Sequence, residues 1–357
     1  MRDTVEKTWR HLNFFEHECY LHAKVPRITT HEGKVVTVDV PWSGKMNGFT
    51  LLFESLLLQL CKHMPESQVE KITKVSDDKL WNLLDLYIET ARAQVDCSDL
   101  SVVGMDETCV KRAHDYITLF VDLEKNQTLP IAQGKDNQTV KEFAQFLVEH
   151  AGQPEQISDV SCDMSPAFIK GVRENLPQAQ ITFDKFHLLK IINEGVDKVR
   201  REEAKTNPLL KNTRYIFLKN EQNLTAKQRE KKQELLMEDL NLKAMQALNM
   251  RETFQQIYQA KTKEDFTQLL QQWLDWVGSC GLSAMEKVAQ CVKNHWDGIV
   301  AWKKSQINNG ILEGLNCIIQ AAKRKARAYQ AKHFATMTYL LTGKLNFSII
   351  NPLCKHT

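Results

Sequence analysis

Apolar positions recur along this chain in two rhythms, one of two residues and one of three to four, and the changes of rhythm divide it. Residues 1–48 read as short extended pieces. KVVTVDV (34–40) alternates as a strand does, and Pro41, Gly44 and Gly48 punctuate the stretch after it. From Phe49 the pattern turns helical. FTLLFESLLLQLCKHM is apolar all round, Pro65 opens a second short helix, PESQVEKITK, and Ser76 stands where it can cap a third, DDKLWNLLDLYIETARAQ. Three helices with a tight break before Ser76 predict a helix-turn-helix over residues 49–97, its last helix entering a major groove. A plain helical spacer is the alternative, because that helix opens on Asp77 and Asp78 rather than on bases.

Residues 98–189 change character. LSVVGMDET is a β-branched run ending in an acid, and YITLFVDLEKNQTLPIAQG reads as two strands around a Lys125-Asn126-Gln127 turn. Asn137 to His150 is helical, with Val140, Phe143, Ala144 and Leu147 at helical spacing. ISDVSCD is then a strand, SPAFIKGVRENL a helix and AQITFDKF a strand. Hairpin-linked strands followed by crossover units predict an α/β fold, a mixed sheet with helices on its faces, in the order of a ribonuclease-H-like core. Residues 190–302 hold no convincing strand and read as an all-helical insertion. From Gly310 one long helix is expected to reach about Leu341, so that residues 303–345 complete the core.

Composition narrows this picture. A chain of 357 residues, 43% hydrophobic and 25% charged, suggests two or three ordinary globular domains rather than disorder. No apolar run approaches the ~20 residues that span a bilayer. MRDTVEKTWRHLNFF lacks the pattern of a signal peptide, so a cytoplasmic protein is expected. Nine cysteines, none in a CxxC pair, exclude a zinc ribbon or disulfide framework and read mostly as small buried hydrophobes. The net charge of +3 says little, but eight Lys or Arg against the single acid Glu313 between Lys303 and Lys344 suit a polyanion. A solvated helix face is the alternative.

The candidate chemistry lies in three acids. Asp106 and Asp163 each end a strand, and in such a sheet those strands can lie parallel and adjacent, with both carboxylates at one edge. Divalent cations relieve the repulsion between two such carboxylates, and a pair of Mg2+ ions about 3.5–4 Å apart can activate an attacking oxygen and stabilise a leaving one. Glu313 is the candidate third ligand. Its helix predicts one stripe of Glu313, Asn316, Gln320, Lys323 or Arg324, and Arg327, and a core stripe of Leu315, Ile318, Ile319, Ala322 and Ala326. Gly310 and Gly314 beside the glutamate are expected to permit close backbone approach. Taken singly, each acid reads as a turn-former or a solvated residue.

Seven segments in order give the chain a family likeness: TWRHLNFFEHECYLHAKVPR, VPWSGKMNGFTLLFE, VGMDETCVKRAHDY, VSCDMSPAFIKGV, ITFDKFHLLK, NNGILEGLNCIIQAAKRKARAY and MTYLLTGKLNFSIINP. Together they resemble the ISL3 family of DDE transposases of bacterial insertion sequences. The resemblance covers nearly the whole chain. It implies Asp106, Asp163 and Glu313 as catalytic, metal-holding acids, two Mg2+ ions with Mn2+ as a substitute, and a helix-turn-helix ahead of the core. The activity implied is cleavage at terminal inverted repeats, then strand transfer to target DNA. The implied partner is double-stranded DNA bound by a homodimer, with no membrane, in the bacterial cytoplasm at the nucleoid.

Lys323, Arg324, Lys325 and Arg327 are the expected phosphate contacts. His187 is either a contact to DNA or to metal-bound water, or a helix-capping histidine, and Asp184 reads as a hydrogen-bonding acid at the core edge. Trp273, Trp276, Trp296 and Trp302 read as helix packing, with base stacking as the alternative. The family's cysteine-rich ribbon is missing from residues 1–48, which read as its remnant. His17, Cys19, His22 and His31 fit no ribbon spacing. A copy that only binds DNA is therefore the alternative to an active enzyme.

Overall fold

The strands sort into two sheets in the computed structural model, which describes residues 3–111, 115–237, 241–305, 307, 310–327 and 329–354. Strands β1 (Asp3–Phe14), β2 (His17–Thr29) and β3 (Val35–Thr37) form an antiparallel sheet. The stretch read as short pieces is, over the described residues 3–48, chiefly a long hairpin, with Thr8 opposite His22 and His11 opposite Cys19. Within these strands only Trp9, Arg10 and Val25 are buried, so no apolar alternation marks them in the sequence.

Helices α1 (Leu51–His63), α2 (Glu66–Thr73) and α3 (Asp77–Arg92) stand where the pattern predicts. Thr50 caps α1 through Phe53 N, whereas Ser76 stands at the start of α3 without a capping bond. Buried Glu54 ties the preceding loop to the helices. It accepts from Lys45 N at 2.9 Å, Met46 N at 2.6 Å and the Tyr87 hydroxyl at 2.6 Å. Gly44 is required there, because a Cβ would collide with Glu54 Oε1.

Glu66, by contrast, is buried with Oε1 lacking a hydrogen-bond partner among the described residues. Burial chiefly, with the charge of Asp77, pushes its carboxyl up to about 7 from 4.5, although its own N–H opposes this. A carboxyl raised on folding costs stability as it ionises, so the cost is absent below about pH 4.5 and complete above about pH 7. Glu66→Gln is expected to add about 2–3 kcal/mol to stability at pH 8 and almost nothing at pH 4. Urea denaturation at the two pH values checks this. Equal gains at both would trace the effect to packing instead.

The second sheet carries β4 (Val102–Lys111), β5 (Asp115–Asp122), β6 (Gln127–Gln133), β7 (Asp159–Cys162) and β8 (Gln180–Phe183), in the order β6-β5-β4-β7-β8. The first three pair antiparallel, and β4-β7-β8 run parallel. Helices α4 (Asn137–Glu149) and α5 (Pro166–Asn175) make the crossovers. This is the mixed α/β sheet expected from the order of elements.

Beyond the sheet come the helices α6 (Lys185–Glu203), α7 (Arg214–Leu218), α8 (Ala226–Met237), α9 (Lys243–Ile257), α10 (Lys263–Gly278), α11 (Ser283–Asn294) and α12 (Trp296–Ser305). One core runs unbroken from Met105 and Val160 on the strands through α6 to Phe254, Trp273 and Val300. The helical segment is thus built onto the sheet. Trp273 is buried and donates to Met250 O at 2.8 Å, and Trp302 donates to Ile307 O at 3.1 Å. Both are packing residues, while Trp276 is 43% exposed.

The expected single C-terminal helix is two: α13 (Gly310–Lys325) and α14 (Ala331–Thr342), parted where Arg327 takes a left-handed φ of 60°. The break lets α14 turn away from α13. Met337, Leu340, Leu345 and Phe347 pack with Phe53, Leu57, Leu84 and Tyr87, so the end of the chain shares a core with α1 and α3.

Candidate active site

Asp106 is not at the end of its strand, as the sequence suggested. β4 continues to Lys111 with β5 as its partner. What ends beside Asp106 is β7. The parallel register pairs Val103 with Val160 and Gly104 with Ser161, and two further steps bring Asp106 level with Asp163, just past β7. Between β7 and β8, Cys162 pairs with Phe183, and one further step brings Asp163 level with Asp184. Three carboxylates thus stand abreast where the parallel strands end, the edge at which α/β sheets hold ligands.

Each acid is held differently. Asp163 Oδ1 accepts from Ser165 N at 2.9 Å. Asp184 caps α6, accepting from Phe186 N at 3.0 Å, and its other oxygen accepts from His187 Nδ1 at 3.0 Å. That bond, outweighing burial, raises the His187 pKa, and the charges of Asp184, Asp106 and Asp163 add to it. The helix cap is therefore Asp184, and His187 is an imidazole facing three acids. Asp106 Oδ1 accepts from Glu107 N at 2.8 Å, and Oδ2 accepts from Asn316 Nδ2 at 2.6 Å. Burial pushes its carboxyl up to about 6. His187 and the Glu107 N–H oppose the rise, and Asp163 and Asp184 reinforce it.

Asn316 is the residue whose role sequence reasoning missed, since helical spacing sets it on a cationic stripe. The Thr108 hydroxyl donates to its Oδ1, which turns its Nδ2 toward Asp106. The face of α13 toward the sheet is Leu312, Asn316, Ile319 and Lys323, not the expected stripe, and Ile318 is 47% exposed. The glycine that permits close approach is Gly104, where a Cβ would lie 3.0 Å from Leu312 Cδ1; Gly314 faces open space. A helix with Leu, Ile and Ala on several sides gives no unique inward face until its docking partner is known.

Glu313 lies one turn before Asn316 on the same side of α13. It is exposed and lines a cleft of about 1030 Å³ together with Phe186 and residues farther along α6. Among the described residues, no three His, Cys, Asp or Glu side chains close on one point as cation ligands. The structure therefore gathers Asp106, Asp163, Asp184 and His187, and sets Glu313 at the rim of the adjoining cleft. The histidines and cysteine of the N-terminal hairpin form no such group either.

The chemistry of the donors suits a hard divalent cation, although they do not close on one point as a ligand set. The donors are carboxylate oxygens, and Asp106 is driven toward neutrality by burial and by like charges, a condition that a cation relieves. Asn316→Ala is expected to weaken the metal dependence of activity 10- to 100-fold, roughly the effect of losing an outer support of a metal ligand. A Mn2+ titration checks this. An unchanged midpoint would make Asn316 a packing residue only.

Of the expected phosphate contacts, Arg324 and Arg327 are exposed. Lys323 donates to Cys109 O at 3.0 Å and Lys325 to His63 O at 2.8 Å.

Two half-buried acids level on adjacent parallel strands, followed by a long helical segment, suggest a class, and comparison with known proteins gives the same class. Residues 103–338, more than half of the chain, match the ISL3-type DDE family model described as transposase. The chain belongs to the ISL3 family of DDE transposases. It is 26% identical over 347 residues to the transposase for insertion sequence element IS1001 of Bordetella parapertussis, covering 94% of this chain and 84% of that one. It is 24% identical over 369 aligned positions to the transposase for insertion sequence element IS1557 of Mycobacterium tuberculosis, covering 94% and 81%. No described helix is long and apolar enough to cross a membrane.

Proposed function

We propose that this transposase cleaves DNA at the terminal inverted repeats of its element and joins the freed 3′ ends to target DNA. Asp106, Asp163 and Glu313 are the metal-holding acids of this reading. The observation that carries it is the register that sets Asp106 level with Asp163 on adjacent parallel strands, inside the segment that matches the family. The sheet order, three antiparallel strands and then two parallel ones joined through helices, supports a ribonuclease-H-like core.

Two Mg2+ ions, or Mn2+ in their place, would supply activation of the attacking oxygen and stabilisation of the leaving one. The chain's own residues prepare the site. Asn316 and the Glu107 N–H fix the two oxygens of Asp106, and the Ser165 N–H fixes Asp163. Asp184 holds the His187 ring beside the acids, where it can meet a phosphate. Leu312 and Ile319 seat α13 on the sheet, which places Glu313 on the turn next to Asn316. Exposed Lys71, Lys74 and Lys79 around the α2–α3 turn support a DNA contact by residues 49–97, and Arg324 and Arg327 supply another. Pairing of two element ends calls for a homodimer on DNA, in the bacterial cytoplasm at the nucleoid.

The test is incubation with duplex DNA bearing the element's terminal repeats, with and without Mg2+ or Mn2+. Metal-dependent strand cleavage at the repeat ends is the expected result. Binding without cleavage under every metal condition would overturn it and leave a copy that only occupies DNA.

A further inference from the structure

The cleft beside the acids has features that the cleavage chemistry does not use. One face of α6 forms its floor. Phe186, Lys190, Asn193, Asp197 and Arg201 recur at steps of three and four, so they line up along the helix. From Phe186 to Arg201 the helix rises about 22 Å. The cleft therefore starts at Glu313 and at Phe186, the residue before His187, and leads away along α6.

Its charge is unbalanced in a specific way. Asp197 is the shared partner of three arginines. Arg200 Nη2 lies 2.7 Å from Oδ1, Arg201 Nε 3.2 Å and Arg214 Nε 3.9 Å from Oδ2. One carboxylate cannot neutralise three guanidinium groups, and it leaves Arg201 and Arg214 with side chains 65% and 60% exposed. Arg251, on the same cleft wall, is only 2% exposed, and it donates to neutral oxygens: Asn193 Oδ1 at 2.7 Å, Asn220 Oδ1 at 2.9 Å, and the carbonyls of Leu218 and Lys219. A buried cation whose acceptors are amides and carbonyls is not neutralised by them, and the cleft's cations outnumber its acids Glu194, Asp197 and Glu313. Lys190 and Lys219 line it as well.

From this geometry we infer that the cleft between α6 and the α7–α9 segment is a track for a single DNA strand leading to or from the cleavage site, its phosphates held by Arg201 and Arg214. The inference rests on the proposed function for the identity of the polyanion. Spread along the α6 floor, a cleft of about 1030 Å³ has a cross-section of roughly 7 Å by 7 Å. That is narrower than the ~12 Å major groove alone, so a whole duplex does not enter it. Its ~22 Å floor corresponds to roughly six nucleotides of helical rise.

The test measures binding in EDTA, where no cleavage occurs, so that its outcome is separate from that of the cleavage assay. The probes are a fluorescein-labelled 12-nucleotide single strand of mixed DNA sequence, the blunt duplex of the same sequence, and the matching RNA. Arg201→Gln/Arg214→Gln is compared with Lys287→Gln/Lys293→Gln, which removes two exposed lysines outside the cleft. The arginine pair is expected to weaken single-strand DNA binding about tenfold and to flatten the salt slope by about 1.4, at ~0.7 for each phosphate no longer held. Duplex binding should change less than twofold, and the lysine pair should leave all three probes unchanged. Equal losses from both pairs, losses confined to the duplex, wild-type binding that favours RNA, or an unaltered single-strand affinity would each overturn the assignment.

Discussion

Asp106→Asn is expected to reduce metal-dependent strand cleavage by at least about a thousandfold, close to 4 kcal/mol of activation free energy. The substitution keeps the size of the side chain and leaves an oxygen for the Glu107 N–H, but it removes the charge that a cation needs. Burial, reinforced by the neighbouring carboxylates Asp163 and Asp184, pushes Asp106 up to about 6. Its ionisation therefore costs stability progressively from about pH 3.8 and fully above about pH 6, so the metal-free variant should be at least as stable as the parent at pH 8. The measurement pairs cleavage of repeat-bearing DNA with urea denaturation in EDTA. Retained cleavage by a folded Asp106→Asn protein would remove this acid from the chemistry. Asp163→Asn is expected to behave alike, and Asp184→Asn to lose less, because Asp184 is committed to the α6 cap and to His187.

The second large effect is on stability. Glu54→Ala is expected to cost about 3–5 kcal/mol in urea denaturation, with little change in the denaturant slope. The carboxylate is buried and satisfies two backbone N–H groups and the Tyr87 hydroxyl. Removing it leaves three donors facing a void. Burial raises the Glu54 pKa in spite of those bonds, so the ionised group itself carries a desolvation cost. The bonds still dominate, because an unmatched buried donor costs about 1–3 kcal/mol each. Glu54→Gln, which retains one acceptor and the volume, should fall between the two. A loss below about 1 kcal/mol for Glu54→Ala would mean that the 44–50 loop is held by its other contacts. The segment WSGKMNGFTLLFE thus has a structural reason for its pattern: Gly44 makes room for the acid, and the loop closes on it.

The sequence by itself determined the elements of the α/β core and their order. It also determined the helical nature of the described residues between 190 and 302, and that Asp106 and Asp163 come to one edge of the sheet. These are local properties: β-branched runs, helical spacing, caps, and acids placed where strands were expected to end. Two features of the hairpin at residues 3–29 hid it, because it buries too few residues to alternate and its pairing is set by register rather than by composition.

Tertiary structure alone decided the rest. The inward face of α13 follows from Gly104 admitting Leu312 and from Asp106 meeting Asn316, two contacts across more than two hundred residues. The same holds for α14 joining the core of α1 and α3, and for Asp184 coming level with Asp163. Three arginines on Asp197 likewise come from two helices, and nothing at the spacing of either announces that they share one carboxylate. Periodicity reports which residues of a segment face the same way. Which surface they face, and what charge waits there, depends on free energy shared between distant segments, and that is settled only when the chain is packed.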